Sequence, residues 1–140
     1  MGVVLPKVAT SLAAKDEGIE LIYHNANGSQ QAQIDSMRYF IDKKVDAIIL
    51  STIVETGWDE VLAEAKNAGI PVILSNRQVK VEDESLYKTW IGSDFVEQGR
   101  RVARWLLDYM KEDEKIINIV EIEGTKGSTS SDGRKTGFEE

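Results

Sequence analysis

Short apolar runs alternate with amphipathic stretches along this chain. Ile19–Tyr23, Ala47–Leu50 and Val72–Leu74 are strand length, largely β-branched and bounded by polar or turn residues. That is the pattern of parallel strands buried on both faces. Ile116–Ile122 repeats it later, and Val3–Leu5 is a weaker first candidate. The intervening segments carry helical period. Ile34, Met37, Phe40 and Ile41 form one stripe, and Trp58, Val61, Leu62, Ala65 and Ala68 a second. Val96, Gly99, Val102, Ala103, Leu106 and Met110 form the third. Ser29, Thr56 and Asp94 are placed as N-caps, with Thr56/Asp59 and Asp94/Glu97 at capping-box spacing. Gly69 stands where a helix should stop, and Pro71 follows it.

The predicted order is alternating strand and helix, an extended piece near Thr89–Ile91, then helix, strand and the beginning of another helix. Alternation of this kind specifies an α/β fold: a parallel sheet with right-handed crossovers and helices on both faces, as in a flavodoxin-like lobe. Ligands of such sheets bind outside the carboxyl ends of the strands. The informative loops are therefore 24–28, 51–55, 75–78 and 124–131.

With 140 residues, the chain is long enough for one domain with a real core and short for two complete ones. Hydrophobic residues at 41% and charged residues at 29% are ordinary for a globular protein. The formal charge of −7 argues against nucleic acid or an anionic membrane as partner. Arg100, Arg101 and Arg104 sit beside Glu97 and Asp108 and read as a solvated helix face. The absence of cysteine excludes disulfides, thiolate metal sites and cysteine nucleophiles. No apolar run reaches the ~20 residues of a membrane-spanning helix. The opening Met1–Pro6 lacks the charged and apolar regions of a signal peptide, so an exported parent would carry its signal outside this sequence.

Candidate chemistry is sparse. The Gly- and Ser-rich stretch Gly124–Lys135 lacks the spacing of a phosphate-binding loop, and no G-x-G-x-x-G follows a strand, so no nucleotide cofactor is expected. His24 is the single histidine and reads as a turn or surface residue. Glu82, Asp83 and Glu84 are consecutive, which suits a polar turn better than a spaced catalytic pair. No nucleophile, base and orienting group assemble, so no enzyme is expected. Asn76 and Arg77, just after Val72–Leu74, offer several fixed donors and an acceptor suited to vicinal hydroxyls, although a plain turn arginine is the other reading. Ser51 holds the corresponding position after Ala47–Leu50. Trp58 could face a sugar ring but also begins an apolar stripe, where packing suits it; Trp90 and Trp105 read as packing residues too.

Several runs together resemble the type I periplasmic-binding-protein family, particularly the ABC-transporter sugar-binding proteins of the ribose and galactofuranose kind. They are Val45–Leu50, Thr56-Gly57-Trp58, Ala65–Val72, Asn76-Arg77, Ile91–Asp94, Val120–Gly124 and Arg134–Phe138. The resemblance implies a pentose or hexose held between two α/β lobes, an extracytoplasmic parent and a membrane permease as its partner. It implies ligand contacts at Asn76, Arg77 and Arg134, with Asp94 at the first hinge crossing. The family's Asp-Arg pair is Asn76-Arg77 here, so a charge-assisted acceptor is replaced by an amide.

Two departures from the resemblance matter. Family members are about twice this length, so residues 1–93 correspond to the first lobe and 94–140 to the start of the second. Relatives also carry a first strand, a sugar-contacting loop and a full helix before the position of Gly18. Here Val3–Leu5 is either that strand with the loop and part of the helix missing, or, with the strand gone, the beginning of the helix. Weak or absent sugar binding by the isolated chain follows, because a half-cleft encloses little ligand surface. Ile116–Ile122 is expected either to join the first-lobe sheet or to pair with another copy by strand exchange. The alternatives are an effector-domain fragment of a LacI-type regulator and a truncated or engineered half-protein without native activity.

Overall fold

The computed structural model describes residues 2–4, 14–110, 116 and 118–140. They divide into two compact units, Met1–Gly92 and Ser93–Glu140.

The first unit is a five-stranded, all-parallel sheet in the order β2-β1-β3-β4-β5. Its strands are β1 (Gly2–Val4), β2 (Ile22–Tyr23), β3 (Ile48–Leu50), β4 (Val72–Asn76) and β5 (Thr89–Gly92). β1 lies between β2 and β3, with Val3 opposite both Tyr23 and Ile49. Of the two readings left open for Val3–Leu5, the structure has the strand, at Gly2–Val4. Leu50 pairs with Leu74 and Asn76 with Gly92, which brings the carboxyl ends of β3, β4 and β5 to one edge. The extended piece near Thr89 is the fifth strand of a flavodoxin-like order.

Two helices, α1 (Gln30–Asp42) and α2 (Asp59–Asn67), pack side by side. Their stripes supply Met37, Phe40, Val61, Leu62 and Ala65 to a core shared with Ile48, Leu50, Val72 and Leu74. Trp58 is fully buried and its indole N–H donates to the Val54 carbonyl (2.8 Å), so it is a core residue. A right-handed β1-to-β2 crossover would place a helix on the opposite face. Most of that segment lies outside the described residues, apart from a helical turn at 14–16 that buries Ala14.

Ser29 caps α1, its hydroxyl accepting the Ala32 N–H (3.2 Å). Thr56 does not cap α2. That helix begins later, at Asp59, with Trp58 in the cap position and no side-chain cap, and the Asp59 carboxylate accepts the distant Glu82 N–H (3.1 Å). Gly69 ends α2 with φ +73°, the left-handed stop its position suggests.

The second unit is a helix pair, α3 (Phe95–Tyr109) and α4 (Thr129–Glu139). Asp94 caps α3 as expected, accepting the Glu97 N–H (2.8 Å). The helices meet through glycine. A Cβ on Gly99 would overlap the Arg134 carbonyl, and one on Gly137 would overlap the Val96 carbonyl. Phe95 is the one large apolar side chain buried in this unit among the described residues. Trp105, expected to pack internally, is 63% exposed and stacks on Tyr109 (5.1 Å). Ile116–Ile122 is not a strand: its described residues are irregular and exposed. A strand exists only where another offers it hydrogen bonds, and the second unit has none among its described residues.

The two units generate separate stability predictions. Gly99→Leu should separate α3 from α4, destabilising their packing by about 2 kcal/mol or more through overpacking. Amide exchange should accelerate across 95–109 and 129–139 while the sheet stays protected; unchanged protection would refute the glycine contact. In the first unit, Arg38 joins the two helices by pairing with Glu64 (2.7 Å) and Glu60 (3.0 Å). Its hydrogen bond to Glu64 lowers that carboxyl below its ordinary value of 4.5. The lowered value means the contribution is present above pH ~4.5 and lost as pH falls through the folded value. Glu64→Gln should therefore be less stable than wild type at neutral pH and indistinguishable from it in acid. Both side chains of this pair are over a third exposed, so the difference should be small and shrink in salt.

Candidate functional site

β2, β3 and β4 end at the same edge, and the loops that leave them enclose an open cleft of about 360 Å³. Its lining includes His24, Gln33, Ser51, Thr52, Asn76 and Arg77.

The loop after β4 sets the geometry. Asn76 has φ +69°, in the left-handed region, and the Arg77 N–H closes a three-residue turn on the Ser75 carbonyl (2.9 Å). Asparagine tolerates this conformation better than most side chains do. The turn folds Arg77 back over the end of β3, where its Nη1 donates to the carbonyls of Ile53 (3.0 Å) and Thr52 (3.3 Å). Gly92 lies beside this turn, and a Cβ there would overlap the Asn76 carbonyl, which also accepts the Trp90 indole N–H (3.3 Å).

Gln33 holds the same β3 loop from the other side. It is 2% exposed; its amide N–H donates to the Ser51 carbonyl (2.6 Å), and its Oε1 accepts the Ile53 N–H (3.1 Å). Sequence inspection missed this residue. The available signal was a polar side chain on the apolar stripe of α1, four residues before Met37 and seven before Phe40.

The β2 loop forms the third wall. Asn25 accepts the Asn27 N–H (3.0 Å), and Asn27 and Gly28 both have positive φ, which turns the chain into the Ser29 cap. His24 is half-buried and not a plain surface turn residue. Its ring packs against Tyr39 (4.8 Å) and Phe40 (4.7 Å), and Nδ1 lies 3.2 Å from the Ser36 hydroxyl. That hydroxyl already donates to the Ala32 carbonyl (2.7 Å), which leaves its lone pairs facing the His24 ring.

Ser51, Asn76 and Arg77, singled out from sequence, thus lie together. Asp94 and Arg134 belong to the second unit and are engaged within it. Asp94 caps α3, while Arg134 donates to Gln98 (2.9 Å) and the Ser130 carbonyl (2.9 Å) and lies over the Phe95 ring (4.8 Å). Among the described residues, no group of three or more His, Asp or Glu side chains is placed to hold a metal ion.

Comparison with known proteins agrees with this architecture. The galactofuranose-binding protein YtfQ of Escherichia coli is 41% identical over 133 residues, covering 95% of this chain and 41% of its own length. A Mycobacterium smegmatis crystal structure in complex with β-D-fucofuranose superposes with a TM-score of 0.89 at 48% identity, over 91% of this chain and 42% of that one. The periplasmic binding protein of the Shewanella arabinose ABC transporter, bound to L-arabinofuranose, gives 0.86 at 40% identity, over 98% and 47%. The chain therefore spans less than half the length of these relatives. The periplasmic binding protein domain family matches residues 9–140, and the chain belongs to that family.

Proposed function

We propose that this chain is the sugar-binding lobe of an extracytoplasmic solute-binding protein, which delivers a monosaccharide to an ABC-transporter permease and catalyses no reaction. The observation that carries the reading is the left-handed turn at Asn76, which fixes Asn76 and Arg77 at the mouth of the cleft. An arginine whose Nη1 is anchored on two carbonyls cannot swing freely. It presents the rest of its planar fork in one orientation, so less entropy is lost when a hydroxyl binds. Asn76 adds an exposed amide, with a donor and an acceptor, and Ser51 a hydroxyl. Together they match the alternating donors and acceptors of a sugar ring edge. Two relatives bound to furanose sugars point to a furanose ring as the substrate form. Asp94 and Arg134 add nothing to this reading from within their own unit.

The cleft is open, whereas a monosaccharide pocket normally buries most of its ligand. Binding by this chain alone should be weak, with Kd in the millimolar range or above, about −4 kcal/mol or less favourable. Isothermal titration with ribose, galactose and arabinose should give no micromolar affinity. Amide shifts in an NMR titration should respond at 24–28, 51–53 and 76–77. A micromolar Kd would refute the weak-binding expectation, and shifts elsewhere or none at all would refute the sugar site.

The partner reading extends to a second copy. Ile116, Val120 and Ile122 are each about nine-tenths exposed on a segment whose described residues pair with no strand, which suits strand exchange between copies. Light scattering should then give a dimeric mass, and a monomer at all concentrations would overturn this part.

A further inference from the structure

Four neighbouring backbone polar groups at the end of β3 are matched by side chains. The Ser51 carbonyl and the Ile53 N–H are bound by Gln33, and the carbonyls of Thr52 and Ile53 by Arg77. In the middle of this loop the Thr52 hydroxyl is buried, in a residue 1% exposed, and has no hydrogen-bond partner among the described residues. Leaving a hydroxyl both desolvated and unpaired is unfavourable, and most buried polar side-chain atoms avoid it. Thr52 cannot relieve the cost by moving, because Gln33 and Arg77 hold the backbone on either side.

We infer that the Thr52 hydroxyl is a specificity-determining group of the cleft, held without a partner among the described residues so that a hydroxyl of the bound sugar can supply one. The inference rests on the sugar-binding reading above and adds a residue to it. Thr52 lines the cleft together with Ser51, Asn76 and Arg77, so a ring seated on those residues has hydroxyls within reach of the loop. The near-zero accessibility of the oxygen means that contact requires displacement of a neighbouring side chain. A sugar that completes the bond recovers what the free protein forgoes, while a deoxy sugar at that position recovers nothing.

Thr52→Val and Thr52→Ser separate this role from a structural one. Valine keeps the shape and removes the hydroxyl, so the free Val variant should melt at or above the wild-type temperature. Its affinity for the sugar giving the largest cleft shifts in the NMR titration should fall about tenfold, the scale of one hydrogen bond. Serine should retain most of the affinity. A Val variant that binds as wild type does would overturn this inference alone and leave the sugar site standing. A Val variant that melts well below wild type would also overturn it, since the hydroxyl would then be satisfied inside the fold. Failure of the wild-type chain to respond to any sugar would remove the sugar-binding reading and this inference with it.

Discussion

Where a parallel strand leaves its sheet, its last carbonyls and amides lose their ladder partners and must find others or face water. At the end of β3 both solutions are side chains reaching in from other elements: Gln33 from α1, and Arg77 from the turn after β4. The two clamps grip overlapping stretches, so the loop has one conformation and the cleft beside it one shape. Arg77 reaches that position because Asn76 takes a left-handed φ, and the close approach of β5 to that turn requires glycine at 92. Gln33 reaches it because the buried stripe of α1 has a polar residue at its N-terminal end, where the helix faces the strand's exit. The sheet, the helix and the turn thus converge on three residues of backbone, and the cleft is the by-product of satisfying them.

This dependence explains what could be read from the sequence and what could not. Strands and helices of the first unit were legible because apolar period reports burial directly: Ile48, Leu50, Val72, Leu74, Met37, Phe40 and Trp58 are all buried. The carboxyl edge of the sheet was legible from topology, and with it the placement of Ser51, Asn76 and Arg77 beside the cleft. Gln33 was not, because it matters through bonds made to backbone far along the chain. Gln33 and Ser51 are separated by 18 positions, Arg77 and Ile53 by 24. The Thr56 cap was misplaced for a simpler reason: the helix starts at Asp59 with Trp58 in the cap position, two residues beyond Thr56.

The second unit shows the converse. Its helix α3 has a clear apolar stripe, and Ile116–Ile122 has clear strand chemistry, yet Val102, Trp105, Ile116 and Val120 are all more than half exposed. A hydrophobic pattern records what a segment is suited to bury, and burial itself needs a second surface. Within the described residues the surface available to α3 is α4, and the two approach at Gly99 and Gly137, where backbone meets backbone and little side-chain area is covered. Close glycine contact brings helices together at the expense of a core, which is why one pair of helices can be well defined while its outward apolar residues stay uncovered. The strand chemistry of 116–122 obeys the same rule more strictly, because apolar side chains tolerate exposure singly while a β-strand has no existence without its neighbour.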